Sequence, residues 1–427
     1  MGTVTAAMPF LKVLAAFLLM LVGIRLKLGL SLSILLGGVL LGLFFGLPLA
    51  EIFRVGGLAL LDEKFLLLLA IVGAILILSD GLEKSGQSAR LMTALSGYLL
   101  RPRLRLIFFP ALIGLLPMPG GAVFSAPMVK AVSAEMQLSN EELAIINHWF
   151  RHVWEMAWPL YPGIILTVAL ADIPLGDLLI CSWPGVFAMF FIGWYFFLRP
   201  GVLKASKMSE TITPQLRDGR QVFKEALPLL IAIVGAVGFE TLLAKKAPHI
   251  PFEWGVIAAL LLAIVWNMAG NRLGLPFLYE VLRKKSLWSM LMVIAAIFIF
   301  KDIMGAAGIV TAMAAGVGGG LIVFAAAVFL PFLVGAVSGV SVAFVGATFP
   351  LLLGLLQNLG LEGDVVAYLV LGLFSGFTGV MISPLHICFI LTCSYFGTDL
   401  GATWRKLVAP CLCFAACGAA LFCLLLF

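Results

Sequence analysis

Ala74-Ile75-Leu76-Ile77-Leu78-Ser79-Asp80, with Gly86 following, recurs as Ala296-Ile297-Phe298-Ile299-Phe300-Lys301-Asp302, with Gly308 following, at an offset of 222. Further along, Pro110 and Gly114 match Pro331 and Gly335 at an offset of 221, and Ala122 and Ala126 match Ala343 and Ala347. Pro159-Leu160 and Ile165-Leu166-Thr167 match Pro384-Leu385 and Ile390-Leu391-Thr392 at an offset of 225. Any one match is weak, because apolar segments resemble each other. Several in the same order, at similar offsets, mark an internal duplication.

The duplicated units are too apolar for water. Of 427 residues, 63% are apolar types and 11% are charged, against roughly 25% charged in soluble domains. Apolar runs of about 15 to 23 residues recur from end to end, near the length that spans a bilayer. The first begins near Pro9 without a basic leader or a small-residue cleavage site, so a retained helix is expected. Cys181, Cys388, Cys393, Cys411, Cys413, Cys417 and Cys423 all fall inside predicted spans, where thiols act as small apolar packing residues.

Hydropathy and punctuation place spans near 9–24, 29–47, 65–80, 141–171 and 177–198, then 225–244, 252–269, 287–302, 364–397 and 407–427. The stretches 105–134 and 321–357 are interrupted, the first by Pro117-Met118-Pro119-Gly120-Gly121. Read as re-entrant hairpins, they leave ten crossings. The segment 141–171 is itself broken at Trp158-Pro159-Leu160-Tyr161-Pro162-Gly163, and 364–397 is broken too. With the linker 199–224 on the cytoplasmic side, twenty of the 27 basic residues fall there and both termini lie outside. This placement accounts for the net charge of +6 without nucleic-acid binding. Five crossings per half thread the second copy oppositely to the first. The expected fold is an all-α membrane protein of two inverted repeats, 1–198 and 225–427. Paired interruptions in inverted repeats are the pattern of secondary transporters, with a site near the midplane.

The layout resembles the ion transporter superfamily, which includes divalent-anion/sodium symporters, gluconate and citrate carriers, and arsenite/sodium-proton antiporters. The tip Leu116-Pro117-Met118-Pro119-Gly120-Gly121 and the run Asn147-His148-Trp149-Phe150-Arg151-His152-Val153-Trp154-Glu155 look like an uncharacterised domain-of-unknown-function family within it. The resemblance implies scaffold helices (9–80 and 225–302) and an elevator-like transport domain of hairpins and broken helices. It also implies arms near 84–101 and 305–320, and a homodimer braced through its scaffolds. The Ser-Asn-Thr tip of the dicarboxylate branch is absent; Pro119-Gly120-Gly121 and Ser338-Gly339-Val340-Ser341 stand there.

Breaks free backbone groups that need a protein or water-filled lining. The half-helices beginning after Gly121 and near Gly163 would aim positive dipole ends into a cavity. Ser125, Tyr161, Ser338, Gly339, Ser341, Thr378, Ser383 and His386 could line it; small residues there also serve plain helix packing. On a helix 141–156, begun by a Ser139–Glu142 capping box, His148, Arg151, His152 and Glu155 would share one face. Arg151 suits a carboxylate, through its planar pair of donors. His152 and Glu155 could exchange a proton or ion. Alternatively, Arg151 and Glu155 neutralise each other across a turn. The His-x-x-x-His spacing lacks the zincin order, and no metal is expected. Asp80, with Glu83, and Asp302 are expected to cap the arms that follow them.

The leading reading is a carrier of a small organic anion coupled to H+ or Na+, with no cofactor. A cation/proton antiporter using Glu155 and a lipid-linked anion flippase stand as alternatives. No nucleophile–base set indicates an enzyme. The expected location is the inner membrane.

Overall fold

The 222-residue echo is a pair of helices of equal length. The computed structural model describes residues 2–99, 102–115, 121–133, 136, 138–199, 217–247, 249–316 and 320–426. The first half holds α1 (Gly2–Arg25), α2 (Leu30–Phe44), α3 (Leu49–Ala59), α4 (Glu63–Lys84), α5 (Gln87–Ser96), α6 (Pro102–Gly114), α7 (Ala122–Val132), α8 (Asn140–Arg151), α9 (Pro162–Ala171) and α10 (Leu175–Gly193). The second holds α11 (Gly219–Lys246), α12 (Glu253–Gly270), α13 (Leu275–Leu282), α14 (Lys285–Ala306), α15 (Ile309–Gly316), α16 (Gly320–Ser338), α17 (Ser341–Asn358), α18 (Val365–Ile382), α19 (Ile387–Phe396) and α20 (Leu400–Leu426). Among the described residues, ten α-helices thus follow ten in matching order. Both ends of α4 and α14 are 222 residues apart, and both ends of α9 and α19 are 225 apart.

Packing repeats as well. α2 lies on α14 as α12 lies on α4; α1 meets α15 as α11 meets α5; α9 packs on α17 as α19 packs on α7. Two groups result. One joins α1–α5 to α11–α15, and the other joins α6–α10 to α16–α20. A cleft of about 640 Å³ lies where they meet, between Ala171, Lys301, Thr311, Gln357 and Glu362.

The outer faces are as apolar as the core. Ile180, Phe187 and Phe191 on α10 are exposed, as are Leu261, Leu262, Val265 and Trp266 on α12. A helix apolar all round needs lipid or protein on every side. Among the described residues, nine helical segments are long and apolar enough to cross a membrane. The chain is a multi-pass membrane protein. The difference from ten has three sources. The 29–47 stretch gives only the 15-residue α2, and 141–171 divides into two short helices. Ser341–Asn358, expected as a hairpin arm, is long enough to cross unaided.

The capping box forms as expected: Ser139 N donates to Glu142 Oε2 (2.8 Å) and Glu142 N to Ser139 Oγ (3.3 Å). Asp80 and Asp302 do not cap. They sit inside α4 and α14, where Asp80 pairs with Lys284 (3.0 Å) and Asp302 with Lys301 (3.4 Å). Glycines turn the chain instead, Gly86 at φ 69° and Gly308 at φ 61°, a conformation open to glycine at little cost. α11 begins at Gly219, before 225, because Asp218 accepts from Gln221 N (3.0 Å). α20 begins at Leu400, before 407, because Asp399 accepts from Ala402 N (2.7 Å).

Candidate functional site

The site is built on a helix that stops early. A helix 141–156 would place four ionisable side chains on one face, but α8 ends at Arg151. Its mate α18 runs to Ile382, which corresponds to 157 at the 225 offset. The difference is His152. Its Nδ1 donates to the His148 carbonyl (2.6 Å), the acceptor that the His152 backbone N–H would take in a continuing α-helix. That N–H turns to Trp149 O instead (3.2 Å), and three-residue turns follow at Glu155→His152 (3.2 Å) and Ala157→Trp154 (3.1 Å). Phe377 stands at the equivalent place in α18, and a phenyl ring cannot compete for a carbonyl. Glu155 therefore lies beyond the helix, and the turns fold it back to 3.9 Å from His152 Nε2.

Close packing holds this end. Gly114 of α6 lies so near the Arg151 carbonyl that a Cβ would sit 2.9 Å from its carbon, and Tyr161 donates to Gly114 O (2.6 Å). Gly121, ahead of α7, faces the guanidinium; a Cβ there would be 3.0 Å from Arg151 Nε and closer still to Nη2. Pro119 and Gly120 lie outside the described residues.

The second half supplies the other wall. α18 breaks at Ser383, whose hydroxyl donates to Ala336 O (2.7 Å) and accepts from Leu385 N (3.2 Å). His386 then precedes α19, its Nδ1 donating to Val380 O (3.2 Å). The turn between α16 and α17 rests on this break, with Gly339 against the His386 backbone. Ser341 meets Gly163, where α9 begins. The starts of α9 and α17 thus touch each other, and α7 and α19 begin beside Arg151 and His386.

At the centre, the ring centroids of His148, His152 and His386 lie 4.8, 5.1 and 4.6 Å apart, and all three are buried. Arg151 Nη1 is 3.3 Å from His152 Nε2. Glu155 lies in the electrostatic reach of Arg151 and His386.

Of the residues singled out by sequence, Gly121, His148, Arg151, His152, Glu155, Tyr161, Gly339 and His386 come together. The hydroxyls of Ser125, Thr378, Ser338 and Ser383 serve the backbone. Ser125 donates to Ala122 O (3.3 Å), Thr378 to Phe374 O (2.7 Å), and Ser338 accepts from Val340 N (3.3 Å). Two residues had been passed over. Buried Asn147 ties α8 to α19 through Thr392 Oγ1 (3.0 Å); a lone amide beside His148 in an apolar helix was its signal. Cys388, read as packing, hydrogen-bonds to His386. Nothing in its spacing separates it from the other thiols.

No curated protein matches the chain. A family model described as protein of unknown function (DUF401) matches residues 9–425, nearly the whole length, including both breaks and all three clustered histidines. The chain belongs to the DUF401 family.

Proposed function

We propose that the protein is a secondary active carrier of a small carboxylate-bearing anion, coupled to H+ or Na+. One observation carries this reading. The breaks of the two halves, at 152–161 and 383–386, close on a single group in which Arg151 and three imidazoles are buried and Glu155 is nearly so. A charged side chain inside a membrane costs about 2.5–3.5 kcal/mol or more, and such residues mark substrate and ion pathways. Arg151 supplies paired donors for a carboxylate. The start of α7 beside it adds the partial positive charge of unpaired N–H groups. Glu155 and His152 are the groups placed to exchange the coupling ion. The protein acts on its solute by moving it, not by chemistry.

In this reading the group α1–α5 with α11–α15 is the frame. The other group moves against it in elevator fashion, with re-entrant tips near Gly121 and Gly339, as the ion transporter resemblance implies. The cleft at the boundary fits that division. The ion pairs fit an inverted threading. Lys84–Glu280, Lys284–Asp80, Arg90–Glu225 and Lys406–Glu141 each join span ends or loops that the sequence reading puts on the cytoplasmic side, and Lys64–Asp172 joins two that it puts outside.

Proteoliposomes given mono-, di- and tricarboxylates under an imposed pH or Na+ gradient should accumulate at least one of them, and lose it when the gradient collapses. Proton flux driven by cations, with no anion accumulated, would replace this reading with the antiporter. Gly121→Ala should cut uptake about 10- to 100-fold by displacing the guanidinium, since small misplacements of a binding group carry such penalties. Thermal stability should barely change, because the atoms that must yield end a side chain.

A further inference from the structure

We infer that His148, His152 and His386 form a binding site for a divalent transition-metal ion of the Zn2+ class. The chain has four histidines, and three of them meet here, drawn from both halves. One ring nitrogen from each lies within 4.8 Å of the other two. Zinc–nitrogen bonds of about 2.0–2.1 Å in a tetrahedral site put ligand nitrogens roughly 3.3 Å apart. Small ring rotations close that gap.

Ring packing alone would not explain how the other nitrogens are used. His148 Nε2 faces Met381 O (3.4 Å), His152 Nδ1 faces His148 O (2.6 Å), and His386 Nδ1 faces Val380 O (3.2 Å). A carbonyl only accepts, so each of these nitrogens carries the proton, and each ring keeps one lone pair on its other nitrogen. Backbone carbonyls that fix tautomer and orientation in this way are the usual outer partners of metal-binding histidines. The lone-pair nitrogen of His148, Nδ1, is buried and has no hydrogen-bond partner among the described residues. Neutral imidazoles suit Zn2+, Co2+ or Ni2+ better than hard cations.

Two further groups set the terms. Glu155 Oε1, 3.9 Å from His152 Nε2, is placed to complete the set as an oxygen ligand. Arg151, 3.3 Å from the same nitrogen, competes for its lone pair, so metal binding must turn the guanidinium aside. Occupancy of this site does not depend on the transport reading.

The test uses the full-length protein in detergent, purified on a tag without histidine, stripped with a chelator and titrated with Co2+ alone. The expected result is one equivalent bound, with the visible absorption bands of a tetrahedral cobalt–nitrogen site, displaced by Zn2+. His148→Gln and His386→Gln should each weaken binding at least about 100-fold, beyond the 10–100-fold typical of losing an outer partner. His249→Gln, altering the histidine outside the cluster, should bind as wild type does. X-ray absorption at the zinc edge of the unsubstituted protein should show imidazole scattering, and this readout survives if a variant fails to fold. Absence of the bands and of imidazole scattering in the folded wild type would overturn the site. So would equal binding by wild type and the His148 variant.

Discussion

Arg151→Gln should abolish carboxylate uptake, lowering it by about two to three orders of magnitude. Truncating one partner of a buried, hydrogen-bonded charge pair costs roughly 2–5 kcal/mol, and 1.4 kcal/mol is a factor of ten. Arg151→Lys should recover little, because an ammonium keeps the charge but loses the planar pair of donors. The single change also strips Glu155 of its neighbouring cation, so misfolding must be separated from lost binding. Arg151→Gln combined with Glu155→Gln keeps the pocket neutral. Uptake should stay lost in this pair while the melting temperature returns toward wild type. Anion uptake restored in the double variant would make Arg151 a mere counter-ion and end the carboxylate assignment.

The second large effect is on stability. Gly339 sits at φ 66°, and a Cβ there would lie 2.9 Å from His386 Cα and 3.0 Å from His386 N. The left-handed backbone costs a side-chain-bearing residue about 1–2 kcal/mol, and overpacking adds about 1–3 kcal/mol. Both neighbouring atoms are backbone, so nothing flexible can yield. Gly339→Ala should therefore destabilise by about 2–5 kcal/mol on those two terms. Gly46 is a control, with φ 88° and no neighbour near its would-be Cβ. Gly46→Ala should show the backbone term alone. Matching shifts in melting temperature for the two variants would mean that the tip does not press on the second break.

What the chain reveals before folding depends on how local each cause is. The duplication was legible because Pro, Gly and Asp recur at fixed offsets, and the start of α8 because Ser139 and Glu142 act within one turn. The end of α8 was not legible. It depends on whether one imidazole wins a carbonyl from the backbone, and no hydropathy pattern records that contest. The same limit misplaced Asp80, since nothing near it reveals Lys284 across the fold. The histidine cluster was half visible. His148 and His152 share a helical spacing, but His386 joins them only once α8 and α19 are packed together. The expectation of no metal rested on the absence of the zincin order around that pair.

The helix pair α8 and α18 has one more implication. At the 225 offset, Gly376, Phe377 and Val380 stand where the first copy has Arg151, His152 and Glu155. The copies have specialised. A chimaera of two second halves would keep its turns and gaps, and bring two copies of His386 and Cys388 to the pocket, but no guanidinium and no carboxylate from these positions. One made of two first halves would force two guanidinium groups into a space shaped for one, where low polarity magnifies their repulsion. The ancestral symmetry survives in the backbone and has been given up by the side chains, so the halves are no longer interchangeable parts.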